Sequence, residues 1–222
     1  MGIFKKLYFK KKETIENFYP NGQLKEKGEL KYGEKEGLWE KFHDNGQLWK
    51  RHNYKNGKRD GLYEFYYIDG QLGNRGNFID GFGNGLWEYF DENGQLESRE
   101  NYKEGKENGL YETYYENGQL RERENCKDGK LHGLSEQFNH EINPFILLDH
   151  ISCRTHYKNG KKDGPHESYY SNGQLERREN YKFGKLHGLR EFFDKNGKFT
   201  HKINEKNEAP HGPMRYFMKM GN

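Results

Sequence analysis

The chain has 222 residues, 38 of them Lys or Arg and 35 Asp or Glu, for a formal net charge of +3. Leu, Ile and Phe, with no Val, make up under a fifth of it, a share that borders on disorder, yet near-cancelling charge and 16% aromatic content argue for an ordered chain rich in strand formers. No apolar run approaches the roughly 18 residues of a membrane-spanning helix, and two cysteines are too few for a disulfide framework, so a reducing, cytoplasmic setting is expected.

The first segment, residues 1–16, is basic. Phe4, Lys5, Lys6, Leu7, Lys10, Lys11 and Lys12 mix apolar and cationic side chains, and no acid precedes Glu13. It lacks the apolar stretch of roughly seven residues that a signal peptide needs, and Lys6 stands where myristoylation wants Ser or Thr. It reads as a cap on the first repeat, or as a tail that touches an anionic membrane surface.

From residue 17 to 217 the chain repeats with a step of 24 residues. Asn-Gly-Gln-Leu begins at Asn21, Asn45, Asn93, Asn117 and Asn172, with variants at Asp69 and Asn196, and Gly-Leu-aromatic-Glu begins at Gly37, Gly61, Gly85 and Gly109. Each period holds two strand-like runs and two turn signals. This predicts an all-β, elongated, single-layer antiparallel β-meander of about eight hairpin repeats. Asn-Gly is read as a two-residue type I′ turn, and the connection from Tyr54 to Gly61 as a longer, looser one.

Alternation sorts the side chains. Leu24, Leu48 and Leu72 fall in phase with Leu30, Tyr54 and Phe78, and Leu38, Leu62 and Leu86 with Phe42, Tyr66 and Phe90. One apolar face is therefore expected, carrying a column of Glu40, Glu64, Glu88, Glu112, Glu136, Glu167 and Glu191 that argues for a thin, solvated sheet. The opposite face carries Trp39, Tyr63, Trp87 and Tyr111, reinforced by Phe65, Tyr89 and Trp49. These rings either stack across strands and stiffen the sheet or form an exposed strip that contacts a partner.

The register breaks once. Asn117 and Asn172 are 55 residues apart, more than two periods, and the excess falls in an insertion near 139–152. Phe145, Ile146, Leu147 and Leu148 make this the most apolar stretch of the chain, a candidate partner contact or a local plug. Residues 218–222 read as a tail.

Asn-Gly-Gln-Leu followed by the run from Tyr54 to Glu64, together with Gly28-Glu29-Leu30, Gly76-Asn77-Phe78 and the His-Gly pairs at His132, His187 and His211, resembles the variant MORN repeat, and especially the bacterial YwqK-type antitoxin proteins. The likeness runs over about residues 17–217. It implies hairpin sheets, a non-enzymatic protein-binding role as an antitoxin against a cognate toxin, or alternatively a membrane-surface scaffold.

No Gly-rich loop joins a strand to a helix, so a lipid kinase is not expected. Cys126, His132, Cys153 and His156 lack the close paired spacing of a zinc site, and the Glu column lacks a pocket to tune it. Arg121-Glu122-Arg123-Glu124 interrupts any positive track, so nucleic acid is not expected as a partner. The sequence thus predicts no catalytic residue, metal or cofactor. It leaves the oligomeric state open.

Overall fold

The computed structural model describes residues 12–139, 150–206, 209–210 and 215–216. Phe4 to Lys11 and Phe145 to Leu148 lie outside the described residues. The chain is all β, with no helix among the described residues. The strands are β1 (Glu13–Phe18), β2 (Leu24–Lys31), β3 (Glu34–Phe42), β4 (Leu48–Lys55), β5 (Lys58–Tyr66), β6 (Leu72–Ile79), β7 (Phe82–Phe90), β8 (Leu96–Lys103), β9 (Lys106–Tyr114) and β10 (Leu120–Lys127). They continue as β11 (Lys130–Leu131), β12 (Gly133–Phe138), β13 (Ile151–Lys158), β14 (Lys161–Tyr169), β15 (Leu175–Lys182), β16 (Lys185–Phe193), β17 (Phe199–Lys206), β18 (Ala209–Pro210) and β19 (Arg215–Tyr216).

Two compact units divide the chain, one of Met1–Leu96 with Asn101–Lys106, the other of Glu97–Glu100 with Glu107–Asn222. In the first, β1 to β7 pair in succession, each antiparallel to the next. In the second, β9 pairs β10, β10 pairs β11 and β12, and β12 to β17 follow in succession. The meander of hairpins expected from the period is the fold of the chain. The insertion leaves and returns at one turn position, since the Asn139 amide donates to the His150 carbonyl at 3.0 Å and β12 and β13 remain paired.

The two turn types exchange the roles expected of them. Around Asn45, the Gly46 amide donates to the His43 carbonyl at 3.0 Å and the His43 amide to the Gln47 carbonyl at 2.7 Å. Of that tripeptide only Gly46 has positive φ, at 85°. This is a three-residue loop, a type I turn closed by a left-handed glycine, not a type I′ turn. The type I′ turns are the other connections: Asn56 (φ 49°) and Gly57 (φ 76°) are both left-handed and join the directly paired Lys55 and Lys58. The same two-residue geometry recurs from Tyr32-Gly33 to Phe183-Gly184. The loose connection inferred from sequence is therefore tight. Its extra residues form a bulge further along the strand, where Asn53 alone faces the run from Asp60 to Leu62 between the pairs His52–Tyr63 and Tyr54–Arg59.

The asparagine has a different task. Its Oδ1 accepts from the backbone of its own turn, as Asn45 does from the Gln47 amide at 2.9 Å, while its Nδ2 donates to the following turn, at the Ile68 carbonyl, 3.1 Å away. Asn21 reaches Asp44 and Asn172 reaches Lys195 in the same way. Gln47 covers the next turn so closely that a Cβ at Gly70, whose φ is 90°, would lie 2.5 Å from its Oε1. Along the opposite margin, turn amides perform the same tie: Gly57 donates to Lys35 at 2.9 Å and Gly81 to Arg59 at 2.7 Å.

A second register shift changes the faces. Lys41 pairs Lys50, but Phe42 pairs Leu48, so Trp49 is an extra residue and the phase of alternation is lost across it. The single apolar face inferred by counting from Leu48 to Tyr54 does not form. Tyr54 instead packs with Trp39, ring centroids 6.3 Å apart.

Left-handed φ strains a residue with a bulky side chain by about 1–2 kcal/mol, and Asn less. Phe183 has φ 53° and is largely exposed. Phe183→Asn is expected to raise the unfolding free energy by about 0.5–1 kcal/mol, measured by urea denaturation of the full chain.

Candidate functional site

In the first unit, one side of the sheet is a packed aromatic layer. Trp39 faces His52, His52 faces Tyr63, Tyr63 faces Gly76. The rings meet in turn: His52 and Tyr63 lie 4.8 Å apart, Tyr63 and Trp87 5.4 Å, and Phe78 stands edge-on to Trp87 at 5.2 Å. Glycine makes room for the indoles, since a Cβ at Gly28 would overlap the Trp39 ring and one at Gly76 the Trp87 ring. Trp39 is 3% exposed and Trp87 8%. The Trp39 Nε1 donates to the Glu29 carbonyl at 3.1 Å, and the Lys35 ammonium lies 3.8 Å from the centre of its ring. Of the two arrangements open for these rings, the two tryptophans take the stacked one, buried because the glycines opposite let each indole lie flat on the backbone.

The other side is an ion ladder. Lys27 meets Glu40 at 3.0 Å, Arg51 bridges Glu40 at 3.3 Å and Glu64 at 3.1 Å, and Arg75 meets Glu88 at 2.7 Å. Partial burial works against the Arg51 charge, but Glu64, Tyr66 and Glu40 outweigh it and hold the guanidinium above its ordinary range. Beside the ladder stand Leu38, Leu62 and Leu86, 45%, 39% and 47% exposed. Leu62 and Glu64 share a face because β5 and β6 keep unbroken register from Gly61 to Phe65. These leucines recur on every second strand, a spacing of about 9.6 Å, and form a row of apolar side chains open to solvent.

The second unit repeats the ladder: Arg123 meets Glu112 at 3.0 Å, Arg154 meets Glu136 at 2.9 Å, and Arg178 meets Glu167 at 2.9 Å. Leu110 and Leu189 are exposed there. The column that is aromatic in the first unit holds Ser135, Thr155 and His166 here, all buried, with the Thr155 hydroxyl 2.8 Å from His166 Nδ1. Burial, with Glu107 and Glu124, pushes the Cys126 thiol up to about 11, which disfavours the reactive thiolate. Among the described residues no group of three or more His, Cys, Asp and Glu is placed to hold a metal, and no helix is long and apolar enough to cross a membrane.

The remaining candidates are spread. Trp49 is half-buried at the register shift, 5.8 Å from the His43 ring and under Lys50. Phe65 meets Tyr67 edge-on, while Tyr89 stacks with Trp87. Tyr111 is half-buried in the second unit. Lys12, the one described residue of the basic segment's candidates, pairs with Glu29 at 2.9 Å. Sequence reasoning placed Leu38, Leu62 and Leu86 in an apolar face. The signal it passed over is the left-handed glycine before each of them, Gly37, Gly61 and Gly85, which marks the bulge.

Five segments, residues 14–32, 35–56, 84–104, 107–128 and 162–183, match the MORN repeat variant. No curated protein matches the chain. Among solved structures, a chain of "Crystal Structure of TcdB2-TccC3-Cdc42" aligns with 88% of this chain and 14% of its own length, at 11% identity and a TM-score of 0.22.

His52 is 6% exposed and its Nδ1 has no hydrogen-bond partner. Burial, then Arg59, Lys50, Lys41 and Lys35, lowers its pKa from 6.5 to about 4. The fold therefore disfavours the charged ring, and stability present above pH 6.5 is lost as pH falls toward 4, because the unfolded chain takes up the proton first. A loss on the order of 2–3 kcal/mol is expected over that window, and His52→Gln should lose correspondingly less. Urea denaturation of both chains at pH 7.5 and 4.5 (about one and a half units either side of pH 6) measures the difference.

Proposed function

We propose that this chain, a MORN-repeat protein, is a non-enzymatic module that binds a partner protein through the leucine-bearing face of its first unit. The partner proposed is a cognate toxin, neutralised by stoichiometric contact in a bacterial cytoplasm. The observation that carries the reading is the row of Leu38, Leu62 and Leu86, exposed at equivalent places of successive repeats. A lone exposed leucine is ordinary, whereas a regular row beside a polar ladder has the make-up of a contact patch with its rim.

Three further points support it. MORN repeats serve generally in protein or membrane interaction. The ladder acids lie against basic partners, the arrangement of a structural ion-pair network. The toxin as partner draws on the likeness of the Asn-Gly-Gln-Leu units to YwqK-type antitoxins. The membrane-scaffold alternative rests on Phe4 to Lys11, outside the described residues. Liposome flotation of the full chain beside one beginning at Glu13 separates it, since equal flotation removes the basic segment as an anchor.

Coexpression with the neighbouring gene's product tests the main reading. A 1:1 complex and relief of toxicity are expected, and Leu62→Asp or Leu86→Asp should weaken the complex by about tenfold or more while leaving the melting temperature within about 2 °C. A harmless neighbour with no complex defeats the antitoxin reading. Undiminished binding by both aspartate variants defeats the leucine face.

A further inference from the structure

A cation lies over the aromatic layer at recurring places. Lys35 Nζ is 5.2 Å from the Tyr54 ring centre as well as 3.8 Å from that of Trp39. Arg59 Cζ is 5.2 Å from Phe78, and in the second unit Lys162 Nζ is 5.0 Å from Tyr181. In all three cases the ring is 19 residues beyond the cation. The same column in the next repeat of the first unit holds Gly83, whose counterparts of Trp39 and Tyr54 are Trp87 and Tyr102. With no side chain there, a groove of about 190 Å³ opens, lined by Phe78, Gly83, Trp87, Tyr89, Tyr102 and Gly105.

We propose that this groove binds a quaternary ammonium ion in the place that the Lys35 ammonium takes over Trp39. Ring faces attract a cation through their quadrupole. A lining of four aromatic rings and two glycines suits an ammonium whose methyl groups ask for no hydrogen bond. The groove, of about 190 Å³, has the size for a small organic cation, and a Cβ at Gly83 would stand 3.5 Å from Trp87 Nε1, an ordinary contact. Arg59, over the neighbouring Phe78, adds one fixed positive charge, so the affinity is set on the order of millimolar. The groove is on the side of the sheet away from Leu86, and the leucine face stands or falls without it.

The test uses the three tryptophan indole N–H signals of the full chain, followed by two-dimensional NMR during titration with tetramethylammonium or choline chloride, with sodium chloride at equal ionic strength as control. The Trp87 signal is expected to shift saturably and the Trp39 signal, already under Lys35, to stay. Gly83→Lys supplies the missing cation and should abolish the Trp87 response. Lys35→Gly opens the equivalent slot and should make Trp39 respond, which decides the matter even where Gly83→Lys does not fold. A response to choline alone assigns a free cation, and a response shared by phosphatidylcholine vesicles assigns a lipid headgroup. No saturable Trp87 shift, or one that persists in folded Gly83→Lys, overturns the proposal.

Discussion

The amide of Asn45 holds two turns at once. Its Oδ1 fixes the turn it belongs to and its Nδ2 grips the next, and Tyr67, reaching the Phe90 carbonyl with its hydroxyl at 2.9 Å, supplies a second tie of the same reach. Hairpins alone are marginal in water, so each repeat depends on its neighbour being held in register. With turns tied along both margins, the cross-strand pairs between them have little freedom to slip, and the placement of every ring and every ion follows.

What lies between the margins is not a dry core. Trp39, Trp87 and Cys126 are the buried hydrophobic residues among those described, while Glu88, Glu112, Glu136 and Glu179 are buried too. Such a sheet is stabilised by rings stacked from strand to strand and by carboxylates held against guanidinium groups, both nearest-neighbour interactions. In the first unit one side is thereby satisfied internally by stacking and the other by charge. The leucines beside the ladder and the groove at Gly83 are two of the places, among the described residues, where a repeat of the first unit presents apolar surface.

The meander was legible because a period of 24 with two turn signals admits few folds. The faces were not, for a reason visible at Trp49 and Asn53: alternation assumes one residue opposite one, and at each of these places the count differs between partners. Asn-Gly was ambiguous because glycine alone can supply the positive φ, while Tyr32-Gly33 and Phe183-Gly184 hide type I′ turns behind residues that rarely adopt one. The burial of Trp39 was written in Gly28, a partner residue notable for what it lacks. The Glu column was read correctly as polar, but its arginine partners were visible only once the strands were paired.

The tie from Asn45 to Ile68 spans a fixed count of residues, so the chain carries a ruler for its own growth. Duplication or loss of a whole repeat hands an asparagine such as Asn21, Asn45 or Asn172 an equivalent carbonyl and leaves the pattern intact. A change of any other length breaks that count, and between Asn139 and His150 the flanking strands β12 and β13 stay paired across the extra residues. Length in this architecture is therefore quantised, and lineages of such arrays should differ in repeat number and in the loops at their margins far more than in the spacing within a repeat.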